Sequence, residues 1–194
     1  GLGFGGVDET TGRVAGFTPL AHWTGSQWQS GEKLPDPEHG WVLVHANGGH
    51  PSGKADHSSI RRWTAPSDGN LAISGTLKHG TENGDGVRGR IVSSRNGVLG
   101  AWTAANGAVE TPVTSLMIEA GDTIDFVVDC RTNENADSFE WKVTLSRTVP
   151  SPRSWSSATE FHGPIEKSPP LPQSIASAWR GAYGRDITQP ELDR

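Results

Sequence analysis

The stretch HANGGHPSGKADHSSIRRW (45–63) sets three histidines, an aspartate and two arginines within nineteen residues. Side chains of these types can ligate a transition metal, shuttle protons, or hold an anionic or hydroxylated ligand. Spacing decides among these chemistries. His45, His50 and His57 lie five and seven residues apart, across Gly-Gly and Pro-Ser-Gly turns. Imidazoles that share a zinc ion sit close on one element, as in HExxH, so this spacing fits no zinc signature. A histidine-based nucleophilic site needs a partner such as the serine of GxSxG, and the sequence contains no such motif. What remains is a glycine-rich loop between two strands. It offers Asn47, His50, Lys54, His57 and Arg61 at the rim of a domain, where binding loops sit.

Tryptophan is the second chemical resource, with eight residues against one tyrosine. An indole face stacks on the apolar C–H face of a sugar ring, while polar neighbours take the hydroxyls. Trp23 and Trp28 in HWTGSQWQSG, and Trp102 after RNGVLGA, are the platform candidates. Trp141 alternates in step with Phe139 and Val143, which marks it as core; Trp63 follows Arg62 and fits either role. Carboxylates suited to a structural calcium ion are Asp8 and Glu9 in GVDETTG, Asp85 in ENGDG and Asp137 in TNENAD. None has EF-hand spacing, and turn-forming acidic side chains account for the same residues without an ion.

These residues must be positioned by strands. Period-2 alternation runs through 40–46, 58–65, 69–79, 86–94, 97–104, 115–120, 122–130 and 138–149, each bounded by turn residues such as PSDG, RNG and EAGD. About eight antiparallel strands at this spacing predict an all-β jelly-roll β-sandwich over residues 1–150. A further edge strand is expected around Phe17–Trp28. Leu71, Ile73, Leu77, Val87, Ile91, Ile124, Phe126, Val128, Phe139, Trp141, Val143 and Leu145 are expected inside. The opposite positions carry both signs: Arg88, Arg90, Asp125, Asp129, Glu140 and Lys142. They form either a solvated face with weak ion pairs or a ligand face. The Pro- and Ser-rich stretch 151–172 reads as a linker. Residues 173–194 read as a short helix over 173–185 followed by the start of a helical domain, with Thr188 of TQPE as its N-cap.

Composition narrows the class further. A net charge of −5 argues against nucleic acid as a partner, and no apolar run approaches the ~20 residues of a membrane span. Cys130 stands alone at the end of DFVVDC and reads as a small buried hydrophobe, and CxxCH, the haem-attachment motif, is absent. The opening GLGFGG reads as a cut inside a longer chain.

The runs IRRWTAPSDGNLAISGTLKH, GDGVRGRIVSSR and GDTIDFVVDCRTNENADSFEW resemble a domain of large planctomycete proteins that carry cytochrome-c-like modules, and SAWRGAYGRDITQPELDR resembles the start of their helical region. The pattern is also similar to accessory β-sandwich domains of bacterial polysaccharide-degrading systems. The resemblance implies a carbohydrate-binding-module-like domain of an exported protein, periplasmic or at the cell surface, without catalytic residues. Arg61, Trp63, Asp85, Arg88, Arg90, Asp137 and Trp141 lie inside the matching runs.

The expectation is therefore a non-enzymatic module that binds polysaccharide and holds a larger protein to it. Its ligand-binding residues are drawn from Trp23, Trp28, His50, His57, Arg61, Arg88, Arg90, Trp102 and Lys142. Six basic residues against three acidic ones in 61–95 make an anionic glycan the variant to test. One rival is a structural module that only packs against other domains of the parent chain. The other is a glycosidase or lyase using Asp125, Asp129 or Glu140 as a carboxylate pair.

Overall fold

The computed structural model describes residues 1–149, 151–165, 180–181 and 184. Residues Gly1–Gly163 form one compact unit and Pro164–Arg194 a second. The first unit is a two-sheet antiparallel β-sandwich, as the alternation predicts.

One sheet holds six strands: β1 (Leu2–Asp8), β2 (Arg13–Pro19), β7 (Ser58–Thr64), β9 (Val87–Ser93), β10 (Gly97–Ala104) and β13 (Thr123–Asp129), in the order β10-β9-β13-β7-β1-β2. The other comprises β3 (His22–Trp23), β4 (Gln27–Gln29), β5 (Leu43–His45), β6 (Gly48–His50), β8 (Gly69–His79), β11 (Gly107–Glu110), β12 (Val113–Ile118), β14 (Phe139–Val149) and β15 (Arg153–Ser156). Its spine is β8 paired along its length with β14. β11 and β12 share the far edge of β8, while β6 and β15 share the far edge of β14. A single 3-10 turn, η1 (Ala55–His57), precedes β7.

The core lies between the sheets. All twelve side chains expected inside are buried there, from Leu71 of β8 to Leu145 of β14. Trp141 is one of its two buried tryptophans. Its ring meets Phe126 edge-on at 5.6 Å, and its indole nitrogen donates to Thr111 Oγ1 at 3.0 Å. Room for it depends on Gly89 of β9, where a Cβ would stand 3.0 Å from the indole and 2.7 Å from Leu77.

The six-stranded sheet departs from the expected polar outer face. Its outer side carries a second small core of Ile60, Val92 and Val127, packed with Val7, Val14 and Phe17. The β1–β2 hairpin covers it. The sheet coils so far that β2 approaches β9 and β10. The turn at Gly12 then meets the turn at Gly97, and Arg13 donates to the carbonyls of Ser94 and Arg95 at 2.8 and 2.9 Å. Arg90, Asp125 and Asp129 are consequently buried, Arg90 pairing with Asp129 and Asp125 with Arg62 instead of facing water. Glu140 and Lys142 lie on the outer side of the other sheet, on β14, so the expected mixed-charge set belongs to two faces, not one.

Two further differences concern the ends. The edge strand expected around Phe17–Trp28 is divided: Phe17 lies in β2 of one sheet, Trp28 in β4 of the other. The stretch read as a linker contains β15, which pairs with β14 and places Trp155 in the core. Its Pro and Ser content masks a short alternating strand. The helix expected over 173–185 falls, apart from residues 180, 181 and 184, outside the described residues, as does the TQPE helix start. No helix among the described residues is long and apolar enough to cross a membrane.

Candidate functional site

A cleft of about 560 Å³ opens between the sheets where β7 faces β15 and the segment that follows it. Phe126 and Leu145 form its floor. Trp63 and Trp155 stand at 5.1 Å with their planes 64° apart, and Phe161, Trp28, Leu2, Leu20 and Pro66 add to the apolar lining.

The local sequence explains the arrangement. In IRRW, alternation sends Ile60 and Arg62 to the outer side of the sheet and Arg61 and Trp63 inward. Arg62 is accordingly held by Asp125, at 2.7 and 2.9 Å, over the Phe17 ring. Arg61 instead enters the sandwich. Its guanidinium donates to the carbonyls of Ser157 at 2.9 Å and His45 at 2.8 Å, with Phe161 at 5.6 Å. No carboxylate stands within 4 Å of it among the described residues. Burial pushes its pKa down to about 10, which leaves it charged at neutral pH. Arg153, exposed at the mouth, lies 5.1 Å from the Trp155 ring centre and is likewise without an acidic partner among the described residues. The segment after β15 forms the outer wall: Trp28 donates to the His162 carbonyl at 2.9 Å, and Trp23 packs on Trp28 and Phe161 at 5.5 and 5.7 Å.

Of the residues singled out by sequence, Trp28 and Arg61 meet in this cleft, and Trp23 backs its wall. The others are dispersed. His45 and His50 sit in the tight β5–β6 hairpin, where His50 Nδ1 faces the Pro51 carbonyl at 2.6 Å. His57 in η1 stacks against Phe4 and His39. Burial lowers the pKa of His45, His50 and His57 alike, so all three favour the neutral form. Arg88 and Arg90 bind Asp129, and Arg90 also binds Glu9 at 2.7 Å. Trp102 of β10 folds over Gly100 and packs on the core. Lys142 is exposed on β14, opposite Thr76.

The acidic candidates also separate. Asp8 accepts from the backbone of Thr10 and Thr11 and closes its own turn, which holds its carboxyl below the usual range. Asp85 accepts from Thr132 and Asn133. Asp137 is buried elsewhere, beyond β8. No three His, Cys, Asp or Glu side chains converge as metal ligands among the described residues. Cys130 is buried, and burial pushes its thiol up to about 11. A thiol that stays protonated is a poor nucleophile.

No family model matches the chain, and no curated protein matches it. The solved structures to which it shows partial similarity include the following three. A PA14 sugar-binding domain from an RTX adhesin is 10% identical, with a TM-score of 0.33, over 54% of this chain and 56% of that one. The C-terminal CBM6 of LamC, a laminarinase from Zobellia galactanivorans, is 16% identical, with a TM-score of 0.31, over 50% and 76%. The Podospora anserina GH26-CBM35 β-(1,4)-mannanase is 15% identical, with a TM-score of 0.33, over 80% and 32%. The chain thus spans little more than half of the first of them. Likeness this shallow says nothing about residues or ligands.

Trp155, Phe161 and Arg153 are the cleft residues that sequence reasoning did not name, and it left Trp63 open between core and platform. RSWS does alternate, and that was the available signal for Arg153 and Trp155. Nothing local marks Phe161, because its role depends on a contact with Trp23.

Proposed function

We propose that this domain is a non-catalytic glycan-binding module. Its ligand sits in the cleft between β7 and β15, and it holds a larger exported protein on a polysaccharide. The observation that carries the reading is the combination in one cleft of indole and phenyl surface with two arginines, Arg61 and Arg153, that have no acidic partner among the described residues. Aromatic surface suits sugar C–H faces, and guanidinium groups pair with carboxylate or sulfate. An acidic sugar unit is therefore the favoured ligand. Binding in place of hydrolysis fits the lining. Its one carboxylate side chain is Glu160, whereas glycoside hydrolysis uses a pair roughly 5–10 Å apart. Asp125 and Asp129 are engaged by arginines, and Glu140 lies on the opposite outer face.

Affinity electrophoresis against neutral, uronic-acid and sulfated polysaccharides tests the proposal. Retardation by the acidic classes is expected. Arg153→Ala is expected to weaken it about three- to tenfold, and Trp63→Ala at least tenfold, or about 1.4 kcal/mol. Circular dichroism of each variant separates lost binding from lost folding. Retardation by no glycan overturns the reading and makes the cleft a packing surface for another domain of the parent chain. Release of reducing ends would make the protein an enzyme.

A further inference from the structure

Arg147 and Arg153 face each other as register partners in the β14–β15 ladder. Side chains directly opposite on antiparallel strands leave the same face of the sheet, roughly 5 Å apart at Cβ. Trp155 lies two positions along β15 on that same face, and both arginines turn toward it. Their guanidinium carbons stand 5.8 and 5.1 Å from the centre of its ring. Like charges placed opposite one another destabilise a sheet, and a carboxylate between them would offset this. Among the described residues no carboxylate stands within 4 Å of either guanidinium. Asp68 and Glu160 line the surface nearby, and Asp68 is engaged by the Ala120 amide at 2.8 Å.

Neutral groups hold the pair in place. Arg147 Nε donates to the Ser151 carbonyl at 3.2 Å, and its Nη1 donates to the Ser67 hydroxyl. Arg153 is exposed, and its side chain makes no hydrogen bond among the described residues. Trp155 and Pro66 line the cleft, while Pro66 and Ser67 also line a shallow hollow with Asn70 and Met117. The two arginines therefore stand where cleft and hollow meet.

The donors select the shape of the anion. A carboxylate has two coplanar oxygens, and one guanidinium fork takes both. A sulfate or phosphate ester offers three terminal oxygens in a tetrahedral array, so guanidiniums from two strands each find an acceptor. We propose that Arg147 and Arg153 form a subsite for a tetrahedral oxyanion ester, sulfate or phosphate, carried by the glycan in the cleft. The subsite rests on the reading of the cleft as a glycan site. It adds Arg147 as the residue that favours an esterified glycan over one bearing uronate alone.

Affinity electrophoresis of the wild-type domain on matched glycans tests the proposal. The pairs are chondroitin sulfate against chondroitin, which share their uronates, dextran sulfate against dextran, and phosphomannan against mannan. In at least one pair the esterified member is expected to bind with a Kd about five- to tenfold lower than its parent, and which pair responds names the ester. Arg147→Gln is expected to bring that ratio below about twofold. Lys78→Gln, which removes one positive charge from an exposed position of β8, is expected to leave the ratio unchanged. Circular dichroism checks that each variant folds. If Arg147→Gln does not fold, Arg153→Gln takes its place, because that side chain is exposed. Equal Kd values within every pair, or an unchanged ratio in the folded arginine variant, overturn the ester subsite and leave the glycan reading standing. Retardation by no glycan overturns both.

Discussion

Replacing Asp129 with alanine is expected to lower the free energy of unfolding by about 3–5 kcal/mol. Asp129 Oδ2 accepts from Arg90 at 3.2 Å and from Arg88 at 2.9 Å. Arg88 is partly exposed and can turn to water, but Arg90 is buried beneath the β1–β2 hairpin. Its Nε already lacks a partner, and its one other ion pair is to Glu9, a largely exposed side chain. Loss of Asp129 therefore strands a buried cation, which costs more than the pair itself contributes. Urea unfolding measures the change. Replacing Arg90 and Asp129 together with leucine is expected to recover most of the loss, since no charge is left buried. A loss below about 1 kcal/mol for the single variant would show that Glu9 alone neutralises Arg90.

Trp141→Ala is expected to cost a similar 3–5 kcal/mol for a different reason. The indole joins the two sheets by packing on Phe126, Leu77 and the backbone of Gly89. Its removal leaves a cavity that rigid strands cannot close, and the hydrogen bond to Thr111 Oγ1 is lost with it. Trp141→Phe keeps most of the apolar volume and should cost less than half as much. The same denaturation series decides the point. Equal losses for both variants would assign the stabilisation to the Thr111 hydrogen bond instead of to packing.

Much of the sandwich is legible in the chain because a buried sheet face imposes a period of two. The alternating runs at 58–65, 69–79, 86–94, 97–104, 122–130 and 138–149 coincide with β7, β8, β9, β10, β13 and β14 to within one or two residues. β1, β2 and β15 escape the same reading. LGFGGVD and RVAGFTP hold too few bulky side chains to show a period, and RSWS is short and flanked by proline and serine. Overlooking β1 and β2 has the larger consequence. Without that hairpin the charged positions of β9 and β13 read as a wet surface; with it they become a buried ion-pair network.

The candidate site divides along the same line. Sequence by itself determined that this is an all-β chain with its strand interiors assigned, and that IRRW alternates so that Arg61 and Trp63 share a face. Those are properties of neighbours along one strand. Only the tertiary structure decided that Arg61 lacks an acidic partner among the described residues, that Trp155 and Phe161 come to meet Trp63 and Trp28, and that Asp137 is enclosed without donors among those residues. Each depends on residues tens of positions apart, brought together by the coiling of one sheet over the other. A side chain's type and period are local, whereas its partner and its distance from water are set by what the rest of the fold lays across it.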